Sequence, residues 1–446
     1  MGSVENFFSL EPHGRRPPGA SGAGMADNVS SNAESPAMTQ TPLPSILQLT
    51  PLNPSYRADP HVALDDLRAR CPVYRDETAG SFILTRYEDV RSMVSDRTLW
   101  RDPIHAEPAA RISRGLDAIP EGVPRSEAAS ILTLDDPDHA RIRQPLTQAF
   151  YARVARFRPE VERIVDESLD RIDPTRPFDL MDTFCVPVPI DAIASILGVD
   201  HARLAEFRDW SEGLIQGLNP FRTSEQTTHM ERAGEALTDY FNRTIAERRA
   251  EPRDDLISDM TRLQLEGVPI NDIELRINLT ALLVGGNLTT TDLIGNGVRL
   301  LLLNPGELAK LKADPGLIGQ VVEETLRYEP PVDATGRIAS RDMEVGGYPV
   351  KTSQAFTFFL RAANRDPERF ENPHSFDVTR PRIPHVAFGG GAHICIGAPL
   401  ARQEAQIAIP KLFDRFPNLR MADPAADPIW RTLPFFRGLE RLDLSA

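Results

Sequence analysis

The sequence predicts a mainly α-helical protein carrying small β-sheets. Three observations support that class: apolar residues recur with helical period over long stretches from about Pro51 onward, strand-like runs are short and few, and no internal repeat of roughly 20 to 50 residues points to a solenoid or propeller. The length of 446 residues allows two or three domains, yet a hydrophobic content of 41% is enough to fill one large core.

Residues 1–45 are rich in Gly, Ser, Ala, Pro and Asn with little periodicity, which predicts a disordered tail ahead of one folded domain over 46–446. The opening residues lack a basic region followed by an apolar core, and no stretch approaches the roughly 18 apolar residues of a membrane helix. A soluble, cytoplasmic protein without membrane contact is expected. Ser81 to Arg86 reads as a strand. In the run Asp135 to Arg143, His139 and Arg143 stand four apart, the spacing that places two cations on one helix face.

Asn271 to Leu303 reads as a single long helix whose residues Ile273, Ile277, Leu282, Leu283, Leu293 and Ile294 make it mostly apolar, hence central and buried. Gly285 and Gly286 fall in its middle, where each costs about 1 kcal/mol relative to alanine, so a packing or functional benefit is expected. Asn287 and Thr289 to Thr291 follow. Close helix packing with threonines bonded back to the preceding turn explains the pattern as well as a chemical role does. Ile318 to Tyr328 is a further helix, stopped by Pro330 and Pro331, and carries Glu324 and Arg327. On an exposed helix that pair contributes a few tenths of a kcal/mol. Val345 to Val350 reads as a strand.

The last element is the most informative. Phe388 to Gly397, FGGGAHICIG, surrounds Cys395 with glycines and runs into a helix from Ala398 to Ile407, with Pro399 in its first turn. Backbone N–H groups and the helix dipole there are expected to lower the thiol pKa and prepare an anionic ligand. Zinc would need about four N or S ligands at short spacings, whereas only His393, Cys395 and the more distant His385 are near. Cys71, Cys185 and Cys395 are odd in number and widely spaced, unlike a disulfide framework. The net charge of −14 opposes general nucleic-acid binding.

Phe388, Gly389, Gly391, His393, Cys395, Gly397, Leu400, Ala401 and Arg402 reproduce the pattern F-G-x-G-x-H-x-C-x-G-x-x-L-A-R, so the chain resembles the cytochrome P450 superfamily in its bacterial soluble form. The resemblance implies a single triangular domain, haem b as cofactor and Cys395 as its axial metal ligand. It aligns Gly285 to Thr290 with the distal pattern A/G-G-x-D/E-T-T, giving Thr289 and Thr290 catalytic positions and leaving Leu288 where an acid usually stands; Asp292, one turn on, is the substitute acid considered. It further implies that Glu324, Arg327 and Arg380 form a structural triad, and that His139, Arg143, Arg337 and His393 neutralise the haem propionates, with Phe388, Gly389, Gly397, Gly285 and Gly286 also against the haem.

A lipophilic substrate such as a terpenoid, steroid or aromatic compound would meet Leu214, Leu218, Phe221, Leu283, Leu288, Val332, Phe435 and Phe436. The implied reaction inserts one oxygen atom of O2 by hydroxylation or epoxidation, with electrons from a separate ferredoxin and an NAD(P)H-dependent reductase docking near Arg402, on a monomeric enzyme. The alternatives are a peroxide-driven or non-oxygenating haem-thiolate enzyme, suggested by Leu288, and a non-catalytic haem sensor.

Overall fold

The computed structural model describes residues 42–112, 123–219 and 221–446. The chain falls into two units, Met1–Pro42 and Leu43–Ala446. The expected tail therefore lies outside the described residues up to position 41. Leu43–Ala446 is mainly helical with four small sheets among the described residues. No helix of the described residues is long and apolar enough to cross a membrane.

The elements that position the site are helices α1 (Pro60–Arg70), α2 (Asp138–Val154), α3 (Pro187–Leu197), α4 (Leu204–Ile215), α5 (Ser224–Ala250), α6 (Asp272–Leu303), α7 (Ile318–Tyr328) and α8 (Ala398–Arg415). The strands are β1 (Val73–Asp76), β2 (Ser81–Leu84), β3 (Ala334–Ile338), β4 (Met343–Val345), β5 (Tyr348–Val350) and β6 (Ala355–Phe359).

Helix α6 starts where a capping box forms: the Asn271 side chain accepts from the Glu274 N–H at 2.9 Å, and Glu274 accepts from the Asn271 N–H at 2.9 Å. It ends at Asn304, ahead of Pro305, which suits a new first turn and not a continuing one. Its 32 residues span roughly 48 Å at 1.5 Å per residue. Buried residues cover several of its faces because α3, α4, α5, α7 and α8 all pack on it.

The largest sheet has the order β1-β2-β6-β3, with β2 parallel to β6 and the outer pairs antiparallel. Its alternation separates two cores: Phe82, Leu84, Phe356 and Phe358 face one cluster, while Ile83 and Phe359 face another. In register, Phe82 lies beside Phe356 and Leu84 beside Phe358. The single strand read over Val345 to Val350 is instead the hairpin β4–β5, since Gly346 and Gly347 take φ +58 and +83 and turn the chain back. Helix α8 extends past Ile407 to Arg415 with Pro410 inside it.

Candidate active site

Gly389 and Gly391 take φ +68 and +64, and a Cβ on Gly391 would stand 2.9 Å from the Val94 carbonyl oxygen. The loop can therefore fold only with glycine at that contact. The Cys395 N–H donates to the Phe388 carbonyl at 3.0 Å, closing the loop, and the N–H groups of Gly397 and Ala398 point at Sγ ahead of α8. The expected lowering of the thiol pKa is corrected here. Desolvation by the surrounding loop outweighs these donors and the Arg143 and Arg402 charges, so the free thiol of Cys395, whose own surface is exposed, lies above its ordinary value. A metal bound there would take the sulfur as thiolate.

Beside the loop lies a cavity of about 140 Å³ lined in part by Trp100, His139, Arg337 and His393. The His139 and His393 rings stand 4.1 Å apart, and Nε2 of the first and Nδ1 of the second are buried with no hydrogen-bond partner among the described residues. Arg337 donates to carbonyl oxygens of Gly336, Val94 and Gly390 at 2.9, 3.2 and 3.4 Å. Burial, then repulsion from Arg101, depresses Arg337 to about 9; burial takes Arg101 to about 10. Burial and the surrounding His139, Arg101, Arg337 and Arg143 depress His393 to about 2. Arg143 donates to the Ile394 carbonyl.

Sequence reasoning did not place Arg101 among these cations. It reaches the cluster because Trp100 and Ile338 exchange backbone hydrogen bonds of 2.9 and 2.8 Å, which sets Arg101 beside Arg337 across a long sequence gap. Three acids line the cavity, Asp96, Asp135 and Asp136; Asp135 accepts from the Arg101 N–H at 2.7 Å, and Asp136 lies 3.4 Å from His139. A group with two carboxylates, such as the propionates of haem, fits the guanidinium groups of Arg101, Arg143 and Arg337 and the orphaned imidazole nitrogens.

On α6 the two glycines differ. A Cβ on Gly286 would meet Ile193 at 3.2 Å, whereas one on Gly285 would have nothing within 4 Å, so Gly286 serves helix packing and Gly285 borders open space. Thr289 Oγ1 donates to the Gly285 carbonyl at 2.9 Å. Thr290 is buried in the helix packing.

Asp292 departs from the role considered for it. It is fully buried and ion-paired with Arg431 at 2.9 Å, against a site where a Cβ on Gly438 would collide with its carboxylate. Burial lifts it to about 6 in spite of the Arg431 charge. The carboxylate is committed to the strand segment around Arg431 and leaves the open side of Gly285 without an acid from α6.

Glu324, Arg327 and Arg380 meet. Arg327 donates to both Glu324 oxygens at 2.7 Å and Arg380 adds a bond of 3.0 Å, with Glu324 and Arg327 fully buried. Arg327 also donates to the carbonyls of Asn364, Pro373 and Ser375 at 3.1, 2.8 and 3.0 Å. Arg402, the cation expected near the docking face, is bound to Glu323 at 2.6 and 2.9 Å and lies over the Phe388 ring at 4.5 Å, bracing the loop.

Of the eight lining residues expected, Leu288, Val332 and Phe436 come together in one apolar cluster with Ile215, Val284 and Leu433. Val332 and Phe436 pair as an isolated β-bridge. Val284 was legible as the position one helical turn before Leu288. Leu214 and Leu283 pack instead into the cluster between α3, α5 and α6, and Phe435, at φ +64, packs against the β-sheet core around Phe359. Leu218 and Phe221 are exposed.

The comparisons agree with this geometry. The family Cytochrome P450 matches residues 316–426. Cytochrome P450 107B1 of Saccharopolyspora erythraea is 39% identical over 381 residues, covering 83% of this chain and 91% of that protein. The 6-deoxyerythronolide B hydroxylase of the same organism is 34% identical over 393 residues, covering 87% and 96%. The solved structure of the polyketide synthase cytochrome P450 PksS of Bacillus subtilis 168 superposes with a TM-score of 0.79 at 32% identity, covering 89% of this chain and 98% of that one. With a cysteine loop built on positive-φ glycines, a His–Arg cluster beside it and a long central helix on which Gly285 borders open space, the chain belongs to the cytochrome P450 family and is a haem-b monooxygenase.

Proposed function

We propose that the enzyme oxygenates a lipophilic small molecule held beside Gly285, with Cys395 as the residue that would hold the haem iron and electrons from a separate ferredoxin and NAD(P)H-dependent reductase. Bound haem supplies dioxygen activation, and an anionic sulfur ligand favours O–O cleavage over reversible oxygen binding. His139, Arg143, Arg337, His393 and Arg101 hold the propionates. Thr289 has its hydroxyl proton engaged by the Gly285 carbonyl, so its oxygen keeps lone pairs that accept a hydrogen bond from water on the open side. Protons then arrive through water, because Leu288 has none and Asp292 is held by Arg431.

The observation that carries the substrate class is the apolar cluster of Ile215, Val284, Leu288, Val332, Leu433 and Phe436, of which Val284 and Leu288 stand beside Gly285 on α6. Terpenoids, steroids and aromatic compounds fit such a wall. The name of the 6-deoxyerythronolide B hydroxylase adds macrolide-like polyketides to that range.

Titrating the haem-loaded protein with a graded ligand library, followed by the Soret spectrum, tests the class. Apolar ligands are expected to shift the band, and Val284→Phe is expected to weaken them at least tenfold. Shifts given by small polar acids in preference to apolar ligands would overturn it.

A further inference from the structure

Away from the haem, α1 presents His61 and Asp65 one turn apart, and the loop before Arg380 brings His374 to the same face. Their ligand atoms all lie within 4.8 Å of one another, and His374 Nε2 is 3.0 Å from an Asp65 carboxylate oxygen. The rings of His61 and His374 stand 5.8 Å apart, nearly perpendicular. His61 is 8% exposed, yet both of its ring nitrogens lack a hydrogen-bond partner among the described residues. A buried imidazole without partners leaves polar atoms unsatisfied, and here it faces two further donors of metal-ligand type.

We propose that His61, Asp65 and His374 form a zinc site with a fourth position open to water. Two imidazole nitrogens and one carboxylate oxygen form a usual zinc set, whereas hard cations such as Mg2+ prefer all-oxygen ligands. Half-exposed His374 and partly exposed Asp65 give the ion an entry path. Around them stand Arg68, paired with Asp65 at 2.7 Å, and Arg365, which bonds twice to the Tyr328 carbonyl at 2.7 and 3.1 Å. Arg361 is neutralised by Asp333 and Glu329, and Arg437 is paired with Glu329. Zinc at His374 Nε2 puts the ring proton on Nδ1 and gives up the long 3.4 Å contact from Arg365, whose bonds to Tyr328 remain.

The consequence is a clip. The ion would join α1 to the segment whose Pro373 and Ser375 carbonyls receive Arg327, beside the Glu324 triad. It is independent of the haem chemistry.

The test is equilibrium dialysis of the full-length holoenzyme against Zn2+ and, separately, Mg2+, with metal analysis and thermal unfolding. Wild type is expected to retain one zinc per chain more than His61→Ala, Asp65→Asn or His374→Ala, to hold no Mg2+, and to unfold at higher temperature with zinc. The zinc-dependent shift should vanish in the variants. His374→Ala changes a half-exposed side chain, and an unaltered haem spectrum verifies that each variant is folded. Equal zinc in wild type and His374→Ala, or no zinc above background, would show that water alone occupies the cluster and overturn the site.

Discussion

The imidazoles of His139 and His393 lie 4.1 Å apart, each with a buried nitrogen lacking a partner among the described residues. The two tilted rings stand beside Arg101, Arg143 and Arg337, so an entering carboxylate meets guanidinium charge and imidazole N–H donors, which is how this end of the cavity favours a dicarboxylate group. Replacing Arg337 and Arg101 by Met should leave a folded chain that loses haem at least tenfold faster, measured by transfer to apomyoglobin. Unchanged haem loss in the double variant would remove them from propionate binding.

Glu324→Ala leaves Arg327 buried with its carboxylate partner gone and three backbone carbonyls as its remaining acceptors. Breaking a buried pair in this way costs about 3 to 5 kcal/mol. The variant should express with little haem and unfold at lower denaturant. A fully loaded, normally stable protein with slowed turnover would assign Glu324 a chemical role instead.

Thr289→Ala removes the one hydroxyl bonded across the turn at Gly285. Substrate binding should survive while NAD(P)H consumption diverts into hydrogen peroxide and product per NAD(P)H falls severalfold. Leu288→Glu supplies an acid one residue earlier and should restore part of the coupling in that background. If coupling is unchanged in Thr289→Ala and added peroxide supports turnover better than ferredoxin, the enzyme is of the peroxide-driven kind.

Asp292 titrates at about 6 in the folded chain against an ordinary value of 3.8. Between those values the native state binds the extra proton, so this residue's contribution to stability is present at low pH and lost as pH rises toward 6. Two pKa units correspond to about 3 kcal/mol. The unfolding free energy of wild type minus that of Asp292→Asn should therefore decline between pH 4 and 6.5 in urea titrations. A flat or rising difference would show that the Arg431 charge outweighs burial at Asp292.

Local signals in the sequence were read correctly where they were self-contained. The glycine loop, the long helix beginning at Asn271 and the helix Ile318–Tyr328 each depend on neighbours a few residues away. Relationships that depend on topology were not legible. Arg101 joins Arg337 through a β-bridge between Trp100 and Ile338, and Asp292 is claimed by Arg431 from a distant strand region. Helical phase also misled: Leu283 is one residue before Val284, but that rotation of about 100° sends it into the core behind α6.

The reduced protein with carbon monoxide gives the most direct measurement. Wild type, Cys71→Ala and Cys185→Ala should show the strongly red-shifted Soret band of thiolate ligation. Cys395→Ala should lose it, and a Cys395→Ala protein that keeps the band would contradict the placement of the metal ligand in the loop Phe388 to Gly397.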